Sequence, residues 1–424
     1  MFEDFSSLKA EDLEGFIGIS GYVSGTEGIG GVIKTRPEDF LAWEVLVNGL
    51  DARAVYESGG RRVEGFGDYV LAVMRKKGID TIRAVTALSH ELGLKPKSIT
   101  VCGIKDKVSV SWQFVSIPRE RFPSEGVEIR DLIRVLPVES SSKRLSSKAL
   151  AKNVFEITIR GCRAEKDLIE ECLSQLRSRG LPNFYGHQRF GITRPITPVT
   201  GRYMLMGLVK EAVESFLTLS TPLESERNRK ARERLSSEWD FESALEYFPK
   251  SLRYEREMLR YLSRKGQDYV GALRALPLRL RRLLVESVSA LIFNKALSKI
   301  ISEGKLSELE VGDFVVELDR FGRPKPGRPI TVMDANFEQV ERLIKLGRFA
   351  VVLPVVGYLS SIPRSGKGDA VQEALEELEL STRLFRLKTV PEASTRGSLR
   401  PITVPKWSCE LIRVQESSVT LRIG

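Results

Sequence analysis

The chain has 424 residues, with 66 Lys and Arg against 56 Asp and Glu and a formal net charge of +10. That length suits two or three domains with cores of their own, and 42% hydrophobic content excludes a disordered or collagen-like chain. The most apolar stretches, 283–293 and 349–359, are interrupted by Glu286 and Pro354 and fall short of the roughly 20 residues that span a bilayer. The N-terminus carries Glu3, Asp4, Glu11 and Asp12 in place of a basic-then-apolar secretory signal, so the expected location is the cytoplasm.

In chain order, Gly28-Ile29-Gly30-Gly31 lacks the third glycine of a dinucleotide fingerprint, because Ile33 stands there. Leu41, Trp43, Val45 and Val47 alternate as in a half-buried strand over Phe40–Val47, and Asp68–Met74 is a second strand. Asp80 caps a helix with Ile82, Val85, Leu88 and Leu92 at helical spacing, stopped by Gly93. A short strand, Ile99–Cys102, leads into Gly103-Ile104-Lys105-Asp106-Lys107. Beyond it Val108, Val110, Trp112 and Phe114 alternate with Ser109, Ser111 and Gln113, predicting a strand with one polar face. Asp106 therefore falls on a strand-to-strand turn.

A strand at Val154–Ile159 precedes a helix carrying Leu168, Cys172 and Leu176, ended by Gly180. From about residue 205 the texture changes to long helical periodicity with charge-dense stretches such as Glu226–Arg234, and a second domain is expected there. Gly322-Arg323-Pro324-Lys325-Pro326-Gly327-Arg328-Pro329 has the composition of a surface turn. Gly366-Lys367 lacks the flanking residues of a phosphate-binding P-loop.

Cys102, Cys162, Cys172 and Cys409 form no CxxC pair and are expected as buried thiols. His90 and His187 are the only histidines, and neither has the second histidine of a zinc helix, so no metal site is expected. Triad chemistry would have to recruit one of them, and no GxSxG elbow presents a nucleophile. Carboxylate chemistry remains, and Asp106, between Lys105 and Lys107, is its candidate: neighbouring cations favour the ionised, nucleophilic form. By spacing alone, the same triplet is also an ordinary charged hairpin turn. The segment Leu181–Gly191 interleaves Phe184, Tyr185 and Phe190 with Asn183, Gln188 and Arg189, a set suited to an extruded nucleotide. It is equally a core loop with inward aromatics.

Taken together, these segments resemble the TruD family of pseudouridine synthases. The Gly-x-Lys-Asp core at Gly103–Asp106, with Gly67–Val70, Lys77–Thr81 and Gln113, resembles the family's catalytic segment and aligns Asp106 with its catalytic aspartate. Lys34-Thr35-Arg36-Pro37-Glu38-Asp39-Phe40, with Glu44, resembles the N-terminal signature, and Asn183–Gly191 with Arg194–Gly201 a third motif. Asn294, Leu353-Pro354 with Gly357, and Arg396-Gly397 with Arg400 are weaker echoes. The family's Tyr-Phe order is reversed here as Phe184-Tyr185, and the chain ends at Gly424 without the family's longer ending.

The resemblance implies an α/β (α+β) protein: a mixed-sheet pseudouridine synthase catalytic domain from residues 1–204 and 386–424, interrupted by an inserted α/β domain at 205–385, with an RNA cleft between them. It implies isomerisation of uridine to pseudouridine in tRNA, at position 13, by a monomer without cofactor or metal. Asp106 is the expected nucleophile, Tyr185 the stacking platform, Asn183 a base-edge or loop-ordering residue and Lys34 the basic partner. Lys105, Phe190, Arg189 and Gln188 are expected to bind RNA or support the site. The basic charge suits a polyanion, and the wording of the His187-Gln188 motif leans archaeal. The alternative is an RNA-binding or chaperone protein of the same fold without catalysis; a methyltransferase lacks its Gly-rich cofactor turn.

Overall fold

The structure, a computed structural model, describes residue 9, residues 12–61, residue 63 and residues 66–424. Glu3, Asp4 and Glu11 of the acidic N-terminus lie outside the described residues. Thirteen strands occur among the described residues: β1 (Phe40–Leu46), β2 (Tyr69–Lys77), β3 (Thr100–Val101), β4 (Val110–Pro118), β5 (Val127–Ile129), β6 (Ile133–Ser141), β7 (Leu150–Arg160), β8 (Phe314–Glu317), β9 (Ile330–Thr331), β10 (Phe349–Val355), β11 (Ser398–Pro401), β12 (Cys409–Gln415) and β13 (Ser418–Ile423).

Two compact units result, one of Ser24–Arg177 with Lys406–Gly424, the other of Met1–Val23 with Ser178–Pro405. These boundaries differ from the expected 204/205 and 385/386. The physical reason lies inside the second unit. Asn183 donates to the Pro401 carbonyl at 3.0 Å, and Asn294 on the long helix Leu278–Ser302 donates to the carbonyls of Tyr185 and Ile17, both at 2.9 Å. The Asn183–Gly191 segment and the 386–405 return therefore fold with the helices and not with the large sheet.

The first unit is built on a nine-stranded mixed sheet in the order β12-β13-β7-β1-β4-β2-β6-β5, with β3 paired to β4. Only β1 and β4 run parallel; β1 pairs antiparallel with β7, and β4 with β2. Strand β13 pairs antiparallel with β7, Leu421 facing Ile157, and with β12, so this hairpin forms one edge of the sheet. Three apolar clusters form, one around Trp43, Trp112 and Phe114, one around Val70, Val115 and Ile117, and a third around Ile169, Leu173 and Val419.

That two-sided burial corrects two expectations. Phe40–Leu46 is a central strand, with Phe40, Ala42 and Glu44 buried as well as Trp43. Strand β4 has no solvated face: Ser109, Ser111 and Gln113 are fully buried, while Val108 is exposed. The helix Thr81–Glu91 forms as expected, with the Asp80 carboxylate accepting from the Arg83 amide at 2.9 Å. Gly93 follows it in the left-handed region (φ +62°), which only glycine adopts without cost. Its buried face is Ala84, Leu88 and Ser89, and Ile82 points to solvent. The helix Lys166–Arg179 is likewise present, burying Ile169 and Leu173.

The second unit is mainly helical around Leu278–Ser302, a 25-residue helix buried along most of its length. It also carries a four-stranded antiparallel sheet in the order β11-β10-β8-β9. Arg323–Arg328 form an exposed turn, as their composition predicts. No helix among the described residues is long and apolar enough to cross a membrane.

Candidate active site

In the sheet unit the loop between β3 and β4 carries Asp106, and nearly every other polar group of that loop is tied down. Gln113 of β4 donates to the Gly103 carbonyl at 3.3 Å. Thr81, the first residue of its helix, accepts the Lys105 amide at 2.8 Å and donates to Gln113 Oε1 at 2.9 Å. The Asp106 carbonyl accepts from Ser109 Oγ and from Lys76 Nζ, each at 2.7 Å. Fixing the backbone on both sides of one side chain preorganises it, because the ordering entropy is lost on folding and not again when substrate binds.

The three lysines of this site have different duties. Lys105 does not face Asp106: its Nζ lies 2.5 Å from Glu44 Oε1, and both groups are buried. Glu44 also accepts the Phe114 amide at 2.9 Å, and burial raises its carboxyl pKa against the opposing pull of Lys105. Lys76, fully buried on β2, donates to the carbonyls of Ile79 and Asp106; burial holds its ammonium down at about 8, against the pull of Asp106 and Asp80.

Lys34 is the partner of the Asp106 carboxylate, Nζ to Oδ2 at 2.5 Å. It sits in the left-handed region (φ +59°), unusual for a residue with a Cβ, and its ammonium lies 4.2 Å from the centre of the Phe40 ring. The chain around it is fixed by Val32 bridging to Arg160, whose guanidinium forks onto Asp39 at 2.7 and 2.8 Å. The cation beside Asp106 thus comes from 72 residues upstream and not from the flanking Lys105 and Lys107. The pair is 29% and 39% exposed, and it is the open end of an otherwise closed network. At that exposure an ion pair contributes about 1 kcal/mol or less to stability. Its value is the orientation of the carboxylate.

The second cluster lies in the helical unit. Tyr185 is half-buried, with its amide donating to Asn294 Oδ1 at 2.9 Å. The Arg400 guanidinium lies 4.1 Å from its ring centre and that of Arg189 5.6 Å, while Phe293 meets it edge-on at 5.7 Å. The ring backing Tyr185 is therefore Phe293; Phe190 is fully buried. Both polar ends of the Asn183 side chain have protein partners, Pro401 O and Arg400, whose NH2 group donates to it at 2.6 Å. Arg189 is braced by Glu286 at 3.1 Å, and Gln188 is exposed.

Reasoning from sequence missed Lys76, Phe293 and Glu286 altogether, and gave Arg400 only as an echo. The one signal for Lys76 was a basic residue closing an otherwise apolar strand, which reads as a solvated strand end. No group of three or more His, Cys, Asp or Glu among the described residues is arranged to hold a metal ion. Cys102, Cys162 and Cys409 are buried and Cys172 partly so, with the Cys102 thiol pushed up to about 12 by burial.

Residues 16–423 match the family described as tRNA pseudouridine synthase D (TruD). A protein of Methanococcoides burtonii named "Probable tRNA pseudouridine synthase D" is 31% identical over 411 residues, covering 94% of this chain and 90% of the relative. One of the same name from Archaeoglobus fulgidus is 32% identical over 391 residues, covering 92% and 90%. Among solved structures, that of a Methanosarcina mazei protein assigned as tRNA pseudouridine synthase D (TruD) superposes with a TM-score of 0.83 at 28% identity, covering 97% of this chain and 94% of that one.

Proposed function

The chain belongs to the TruD family of tRNA pseudouridine synthases, isomerases acting on tRNA, and on that premise we propose that Asp106 is the nucleophile of the reaction and uridine 13 of tRNA its target. The observation that carries the nucleophile is the Asp106 carboxylate itself, partly exposed and oriented by Lys34 at 2.5 Å on a loop pinned through Gly103, Lys105 and Asp106. The position of the target rests on the family resemblance.

The isomerisation breaks the glycosidic C–N bond and makes a C–C bond between the same sugar carbon and C5 of the base, with the C5 proton lost and N1 protonated. Asp106 opens it by attack on the sugar carbon or on the pyrimidine ring, and is released when the rotated base has rejoined. Lys34 balances its charge and holds the attacking oxygen in place. Glu44 and Lys105 neutralise each other beneath the loop and are positioning residues, as is Lys76. Tyr185 is the stacking platform for an unstacked base. Asn183, with both amide atoms engaged, orders that loop and does not read the uracil edge, and Arg189 and Arg400 supply cationic surface beside the ring.

The test is to incubate the protein with unmodified tRNA transcripts in the presence of a chelator and to map pseudouridine by carbodiimide-blocked primer extension. A single stop at position 13 is expected, with the rate lowered a thousandfold or more, on the order seen when a nucleophile is removed elsewhere, in an Asp106→Asn variant of unchanged melting temperature. Activity retained in that variant would remove Asp106 from the mechanism; a stop at another uridine would move the target and leave the nucleophile standing.

A further inference from the structure

Three segments that the reaction leaves unused, the basic turn 322–329, the run 354–361 after β10, and Arg396–Leu399, converge on one open groove of about 530 Å³ in the helical unit. Its walls include Arg328 and Arg396, the hydroxyls of Thr331, Ser360 and Ser398, and the exposed side chain of Leu359, and no carboxylate lines it. Both arginines are exposed, and neither is engaged by an acid among the described residues. By contrast, Arg323, Lys325 and Lys345 are each paired with an acidic residue.

The floor of the groove is a close crossing of backbones. Leu359 N donates to Arg396 O at 3.2 Å, Tyr358 N to Thr395 O at 3.0 Å and Gly357 N to Ser360 Oγ at 2.9 Å. A Cβ on Gly357 would come within 2.0 Å of the Gly397 nitrogen, and Gly397 itself has φ +88°. Only glycine fits either place, and the crossing is what presents Arg396 and the serine hydroxyls on one side. Two uncompensated guanidinium groups among hydroxyl donors, with no acid nearby, match a phosphodiester in charge and in hydrogen-bonding capacity. Ser398 and Arg400 lie two residues apart on β11, so they share a face of that strand, and Arg400 is the residue stacked on Tyr185.

We propose that this groove binds the sugar-phosphate backbone of the tRNA substrate, Arg328 and Arg396 each neutralising a phosphate. The inference rests on tRNA as substrate and is independent of the assignment of Asp106. A contact of this kind carries no sequence information and acts by counterion release, so its signature is in salt dependence.

The experiment measures tRNA binding to the full chain by filter retention from 50 to 300 mM KCl, for wild type and for R328A, R396A, the double alanine variant, the double lysine variant and R260A. The last removes an exposed arginine paired with Glu257, far from the groove in sequence, and controls for net charge. In the double alanine variant the slope of log K against log[KCl] is expected to fall by about two, with affinity lowered about tenfold or more at 150 mM KCl. The lysine variant keeps the slope. Loss of slope with an intact thermal transition supports the assignment. A double alanine variant that matches wild type overturns it, as does an equal loss in R260A. Pseudouridine formation by the double variant at saturating tRNA separates a failure here from a failure of the nucleophile.

Discussion

Two ionic clusters in this molecule use the same residue types to opposite ends. In the helical unit Arg194 and Arg232 meet Glu224 and Glu255, with none of the four side chains more than 10% exposed. Two positive and two negative charges cancel, and the spare guanidinium hydrogens go to the carbonyls of Ser215, Phe216, Leu217 and Leu219. In the sheet unit Lys34 pairs with Asp106 and Lys105 with Glu44, while Lys76 binds the carbonyls of Ile79 and Asp106 and has no carboxylate of its own, and the Asp106 end stands open to solvent. A closed, balanced network can only hold the chain together. An open network with an excess cation leaves a carboxylate accessible, as the nucleophile proposed above requires.

The largest effect that would break this comparison is on stability. Arg232→Ala leaves Glu224 and Glu255 buried against a single Arg194, and removing one partner of such a pair costs about 3–5 kcal/mol. Urea unfolding should show that loss, while the folded fraction retains its rate of pseudouridine formation. A variant that loses activity without losing stability would place this cluster with the chemistry.

Next in size is Lys34→Met. Removing a charged group that orients a reacting atom costs on the order of 10²–10³ in rate, while stability falls by about 1 kcal/mol or less because the pair is half-exposed. Lys34→Gly adds a control: relieved of the left-handed backbone (φ +59°), it should be no less stable than the methionine variant and equally slow. If the two differ in rate, the conformation of the Lys34 segment, and not its ammonium, is what the reaction needs.

How much of this was legible in the sequence follows from what periodicity can and cannot report. Alternation placed β1 and β4, and a cap with a stop glycine placed the helix Thr81–Glu91, because those signals are local. Alternation shows which residues share a face, but not whether the second face is covered. Hence Gln113 and Ser111 read as solvated, although both are fully buried. The Asp106–Lys34 pair spans 72 positions and entered only through family resemblance. Lys105 was named as a supporting residue, yet its partner Glu44 is 61 positions away. The local sign at Lys76 points the wrong way: between Arg75 and Lys77 it reads as one of three charges at a solvated strand end, and only the sheet order shows it buried against the Asp106 carbonyl.

Lys76 gives the finest distinction between the two clusters, through pH. Burial holds its ammonium at about 8, with Lys105 pushing the same way and Asp106 and Asp80 opposing, against roughly 10.4 in an unfolded chain. Between those values the unfolded chain binds a proton that the native one does not, so the contribution of Lys76 to stability rises with pH across that window; below about pH 8 both states are protonated and the cost of burying the charge is constant. The full rise is about 3 kcal/mol, from the separation of the two pKa values at 1.36 kcal/mol per unit. The difference in unfolding free energy between wild type and Lys76→Met, followed from pH 7 to 10.5, cancels the groups common to both and should grow in favour of wild type. A flat Lys76 difference would mean that its ammonium is as well compensated as those of the closed cluster, and that the excess cation beneath Asp106 is not the feature separating the two.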